Sequence, residues 1–146
     1  MKWAVGADHA GYAAKEHLKS WLIEHGHDVT DVGTHGNASV DYPDFAGRVA
    51  QAVAAGEAGL GLLVCGSGIG MSIAANKVHG IRAAHCTDGF QARVARRHND
   101  ANVLCVGARV SGLGVMEDTL QAFLENGFDG GRHAERVEKI RRLEVP

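Results

Sequence analysis

Cys65 stands directly ahead of the run Gly66-Ser67-Gly68-Ile69-Gly70, which sets a thiol against a dense group of backbone amides. Three glycines in five residues let the chain turn tightly and aim several N–H groups at one point. The segment Met71–Lys77 reads as helical, so its positive end points to the same place. Such a loop stabilises an anion, either a phosphate or an enolate-like intermediate. It is not a Walker loop, because no Gly-Lys-Ser/Thr follows. The dinucleotide fingerprint is also excluded, since position 71 is Met and the loop follows the third strand and not the first. By itself the glycine spacing fits a simple tight turn equally well. Cys65 tips the balance: at a strand end, beside amide dipoles, its pKa is expected below the ordinary ~8.5, and the Ser67 hydroxyl is close by. Cys86 and Cys105 fall in or beside apolar strands and read as packing residues. A covalent Cys–His hydrolase is the competing chemistry, with His98 as partner, although no hydrolase-type motif surrounds Cys65.

Arg132 and Arg136 are four residues apart, so on a helix they share one face and could clamp a phosphate with paired hydrogen bonds. A solvated basic face that also holds Lys139 is the alternative, and Arg93, Arg96 and Arg97 read as a face of that kind. Asp8 and His9 follow the first strand and Arg109 follows the fifth. His98-Asn99, which closes the fourth helix, is grouped with them. His9 is open between a structural role and ligand contact. The remaining histidines read as surface residues.

Positioning these residues requires an alternation of strands and helices. The strand candidates are Lys2–Gly6, His27–Val32, Leu60–Cys65, Ile81–His85 and Val103–Gly107, several of them nearly continuous in apolar residues, as in parallel sheets covered on both faces. Helical stripes run through Ala14, Leu18, Trp21 and Leu22, through Phe45, Val49, Ala52 and Val53, and through Met116, Leu120, Phe123 and Leu124. Pro43 suits a first helical turn, and Gly127 suits a stop. Strand then helix, five times, predicts an open parallel sheet with helices on both faces, and ligands bind outside the strand carboxyl ends of such sheets. Gly130-Gly131 sets off a last basic helix, roughly Arg132–Leu143. No repeat or linker divides the chain, so residues 1–146 read as one domain.

The composition supports that outline. Of 146 residues, 45% are hydrophobic and 22% charged, ordinary values for a globular chain with a real core. A net charge of −2 leaves no overall field to recruit nucleic acid or an anionic membrane, so an anionic small substrate must be held by local cations. Asp8 and His9 interrupt the apolar start before a signal core forms, and no run reaches membrane-spanning length. Three cysteines without metal-type spacing suit free thiols in a cytoplasm. Nine histidines form no HExxH or Cys/His cluster, so no metal is expected.

Taken in order, several stretches resemble the ribose-5-phosphate isomerase type B family, which also holds allose-6-phosphate and galactose-6-phosphate isomerases. They are Gly6-Ala7-Asp8-His9-Ala10-Gly11, Asp41–Ala46, Cys65–Lys77, Gly80–Ala83, His98–Leu104 and Gly107-Ala108-Arg109. The resemblance spans essentially the whole chain. It implies a Rossmann-like three-layer α/β/α sandwich with a five-stranded parallel sheet plus a C-terminal helix. It also implies a homodimer or dimer of dimers whose active sites use both subunits, with no metal and no organic cofactor.

Carried over residue by residue, the resemblance makes Cys65 the base that moves a proton between C1 and C2, with Ser67 helping the hydroxyl proton. The amides of Gly66, Ser67, Gly68, Ile69 and Gly70, with Asn99, would hold the enediolate. His98 would assist ring opening, Asp8 and His9 would contact sugar or phosphate, and Arg109, Arg132 and Arg136 would complete the polar and phosphate-binding set. Members without this cysteine carry Glu where Met71 stands, so the Cys65–Met71 combination is similar to the cysteine-using branch. The chain is therefore expected to interconvert ribose 5-phosphate and ribulose 5-phosphate in pentose phosphate metabolism. Allose or galactose 6-phosphate is the alternative substrate, and a non-catalytic sugar-phosphate sensor is the alternative class.

Overall fold

Five parallel strands form one sheet, β1 (Lys2–Ala7), β2 (Asp28–Asp31), β3 (Leu60–Cys65), β4 (Ala83–His85) and β5 (Val103–Gly107), in the order β2-β1-β3-β5-β4. The computed structural model describes residues 1–144, so the last two residues of the expected 1–146 domain lie outside the described residues. The helices are α1 (Tyr12–Glu24), α2 (Tyr42–Ala54), α3 (Ile69–Ala75), α4 (Gly89–Asn99), α5 (Leu113–Glu125) and α6 (Arg132–Arg141).

Alternation along the strands sends side chains to two separate cores. Leu60, Leu62 and Val64 pack with the buried faces of α1, α4 and α5. Leu63 and Cys65 pack on the other side with α2 and α3. All six residues of β3 are buried, which is why the run reads as continuously apolar. The expected three layers are present, with α6 appended beside α4.

Boundary differences have local causes. The fourth strand starts at Ala83 and not at Ile81, because the Ile81 amide closes a turn onto the Val78 carbonyl (3.2 Å) and the Arg82 amide is taken by Asn102 Oδ1 (2.8 Å). The second strand starts after His27, whose amide turns back to the Leu22 carbonyl at 3.1 Å. Helix α3 begins two residues earlier than the expected Met71, directly after Gly68, which takes φ +81° to make the turn. The last helix ends at Arg141 where Leu143 was expected.

One buried ion pair was not foreseen. Lys15 lies within the apolar stripe of α1, fully buried, and its ammonium donates to Asp31 Oδ1 and Oδ2 (2.9 and 2.8 Å) and to the Thr34 carbonyl (2.7 Å). Burial alone would raise the Asp31 carboxyl. Hydrogen bonds from Lys15, Lys19 and the Gly33 amide outweigh it and hold the group below the usual carboxylate range. The pair ties α1 to the end of β2 and to the segment that follows it.

Candidate active site

The carboxyl ends of β1, β3 and β5 meet around one cavity of about 590 Å3, lined by Asp8, His9, Cys65, Ser67, Gly70 and Arg109, with Gly66, Ile69 and Tyr42 beside them. Cys65 ends the central strand at 4% exposure, and the Gly68 amide donates to its Sγ at 3.1 Å. That bond is an acceptor role which a thiolate fills better than a thiol. Among the described residues the other two thiols have no such partner. Burial, with Asp88 nearby, pushes Cys86 up to about 12, and burial pushes Cys105 well above the ordinary thiol range. Both stay protonated packing residues, as their sequence setting implies.

The glycine loop is held by backbone on every side. Ala108 and Arg109 donate to the carbonyls of Cys65 and Gly66 at 2.9 Å each. Gly107 is pressed so closely on the loop that a Cβ there would lie 2.5 Å from the Ser67 carbonyl carbon and oxygen. The Arg109 guanidinium rests against Gly66, and Ser67 Oγ accepts from the Ile69 amide at 3.2 Å. Asp8 is buried and accepts from the Gly11 amide at 3.0 Å. A Cβ on Gly11 would come within 2.3 Å of the Val64 carbonyl oxygen, so only glycine lets the first loop settle against β3. His9 is fixed through Nδ1, which accepts from the Val40 amide at 3.2 Å and leaves the Nε2 position to carry the ring proton.

Not every expected residue reaches this cavity. His98, Asn99, Arg132 and Arg136 lie elsewhere, and grouping His98-Asn99 with the strand carboxyl ends is corrected by the topology. The loop after α4 returns to the start of the sheet: Arg82 Nε donates to the carbonyls of Asn99 and Asp100 (3.0 and 2.9 Å) just ahead of β4 and β5. Five strand residues at a rise of roughly 3.3 Å each place that edge about 15 Å from the Cys65 end. Asn99 lines a different cavity of about 630 Å3, with Asn76, Arg82 and Ile140, which contains no thiol. His98 stacks on His133 of α6, ring centroids 4.3 Å apart and planes at 8°. Arg132 and Arg136 are exposed on α6.

Three side chains depart from their sequence reading. Arg96 is no solvated cation: it reaches the carbonyls of Ala101 and Asn126 and covers the Phe123 ring at 5.3 Å. His85, read as a surface residue, has a buried Nε2 without a partner and packs so closely on Gly68 that a Cβ there would sit 2.6 Å from its Cδ2. His27 likewise has a buried, unpartnered Nδ1. Tyr42 was missed as a site residue. Its ring lies over Gly70, 2.7 Å from where a Cβ would stand, and forms one wall of the cavity. The only sequence signal for it was its place in the Asp41–Ala46 stretch that carries part of the family likeness.

Among the described residues, His98, Asp129 and His133 offer ligand atoms within 4.8 Å of one another. Face-to-face rings do not point their nitrogen lone pairs at a common centre, and Asp129 is already bound by Arg97 Nε at 3.1 Å. No described helix is long and apolar enough to cross a membrane.

Comparisons with known proteins agree with this fold. The Ribose/Galactose Isomerase family matches residues 3–140. Ribose-5-phosphate isomerase B of Escherichia coli is 46% identical over 143 residues, covering 98% of this chain and 96% of that protein. The Clostridium thermocellum ribose-5-phosphate isomerase B structure superposes with a TM-score of 0.98 at 53% identity, covering 99% and 97% of the two chains. The type B ribose 5-phosphate isomerase of Trypanosoma brucei gives 0.95 at 50% identity, with 98% of each chain covered. By sequence and fold, this chain belongs to the Ribose/Galactose Isomerase family.

Proposed function

We propose that residues 1–146 act as one aldose–ketose isomerase domain that converts ribose 5-phosphate to ribulose 5-phosphate, with Cys65 as the carbon-acid base. The observation that carries this reading is the Cys65 sulfur at the floor of the cavity, bonded to the Gly68 amide and ringed by Asp8, Ser67 and Arg109. On the open-chain sugar, the Cys65 thiolate takes the C2 proton. The electron pair forms the C1–C2 double bond and charge collects on O1. Amides of Gly66–Gly70 meet that charge as fixed donors, which need not reorganise when it develops. Ser67 passes the O2 proton towards O1, the C2 oxygen becomes the carbonyl, and the thiol returns its proton to C1. A base that both takes and returns one proton needs no covalent adduct.

The site is completed by a second copy of the chain. Among the described residues Arg109 is the one guanidinium lining the cavity, and further cations would strengthen its hold on a phosphate dianion. Ile69, Ile73 and Val110 line the same cavity at 52%, 58% and 59% exposure, an apolar surface suited to burial against another subunit. In a two-fold dimer, His98 and Asn99 of the second copy would face the sugar, the first for ring opening and the second for the enediolate. Arg132 and Arg136 of that copy would take the phosphate, while Asp8 and His9 hold the sugar from the first. Three buried free thiols fit a cytoplasmic protein.

The test is conversion of ribose 5-phosphate by purified protein in chelator, beside allose 6-phosphate and galactose 6-phosphate. Fast turnover of the pentose is expected. Turnover of a hexose phosphate alone would move the substrate. Tight binding without turnover, or without exchange of the C2 proton, would refute the enzyme reading and favour a sensor.

A further inference from the structure

We propose that His133 is the positioning residue for His98, holding its imidazole in one orientation by a ring stack at the α4–α6 junction. This rests on the reading that His98 takes part in ring opening.

His98 occupies the last turn of α4 and His133 the first turn of α6, so neither ring is oriented by its own helix alone. The two planes are nearly parallel at 8° with centroids 4.3 Å apart. Parallel aromatic rings at that distance are in contact over their faces, and such pairs favour defined geometries. What brings His133 there is the left-handed turn Gly130 (φ +69°)–Gly131 (φ +55°), after which the His133 amide donates back to the Gly130 carbonyl at 3.0 Å. Only glycine takes two such residues in succession without strain. The preceding residue is anchored as well: the Asp129 amide donates to the Arg97 carbonyl (2.9 Å) and its carboxylate accepts from Arg97 Nε (3.1 Å). Two contacts between α4 and the glycine turn therefore fix where the second imidazole begins.

Burial lowers the His133 pKa from its ordinary value, and His98, Arg132 and Arg136 push in the same direction against Asp129. A His133 ring held towards its neutral form offers its face to the His98 ring stacked on it. Two imidazoliums in this stack would repel.

The prediction separates stacking from direct substrate contact. His133→Ala removes the ring and is expected to lower kcat about tenfold with KM essentially unchanged, the penalty of a loosely aimed catalytic group. His133→Phe restores the stacked face without the nitrogens and should recover most of that loss. Thermal melts of both variants check that α6 stays in place, and His98→Ala is measured alongside. An unchanged kcat in His133→Ala, with His98→Ala impaired, overturns the proposal. So does a His133→Phe variant as slow as His133→Ala with KM raised, because the nitrogens would then be touching substrate. A fully active His98→Ala would instead defeat the underlying reading of His98.

Discussion

Two polar groups of this chain are held in opposite ways. At the carboxyl end of the sheet, Cys65 and Asp8 are buried, and the sulfur, the carboxylate and the glycine loop are each tied to a backbone amide. At the other edge, Arg132 and Arg136 stand exposed on a terminal helix, and the neighbouring Arg97–Asp129 pair is exposed as well. Preorganised donors serve a developing charge because they need not move when it appears. Exposed arginines serve recognition once something covers them. On the proposed reading the first group does the chemistry and the second captures phosphate, and the two would meet across a subunit boundary.

The contrast is broken most severely at Cys65. Cys65→Ala should cut kcat by at least ~10²–10⁴-fold, the range for losing a positioned base, with binding of ribose 5-phosphate retained by calorimetry. Asp31→Ala should come next, through the scaffold and not the reaction. It takes the main carboxylate from the fully buried Lys15 ammonium, which keeps Glu16 at 3.1 Å and the Thr34 carbonyl, so the cost is about 3 kcal/mol, the low end for a broken buried pair, read from urea melts at neutral pH. The pH sign follows from the depressed carboxyl: its stabilisation is present above the unfolded value of ~3.9 and is lost as pH falls through the lower folded value. The variant should therefore lose part of the wild type's acid destabilisation.

Gly107→Ala probes the backbone packing behind the loop. With no room beside the Ser67 carbonyl, the loop must shift, at about 1–3 kcal/mol and with a clear fall in kcat. Arg136→Ala should have the smallest structural effect. Stability should change by less than ~0.5 kcal/mol, and KM for the sugar phosphate should rise about tenfold with kcat little altered.

The first group was legible in the sequence because strand ends and glycine spacing are local signals. Cys65, Ser67 and Arg109 each follow directly from a strand that reads as one. His98-Asn99 was set with the strand ends because the pair was identified by its helix end without following that helix back to the start of the sheet. Lys15 escaped notice because a lysine within an apolar stripe gives no sign that Asp31, on another element, will receive it. Tyr42 and His85 were missed for the same reason: each meets the glycine loop from a different element, and contact between distant segments leaves no spacing to read.

The central claim is that each site draws Cys65 from one chain and the arginines from another. Cys65→Ala and Arg136→Ala chains, mixed in equal amounts, unfolded and refolded together, should regain about a quarter of the wild-type sites when assayed well below KM. Every mixed dimer would then hold one intact site and one doubly impaired site. Activity that stays at the average of the two separate variants would contradict the account and place the whole site within a single chain.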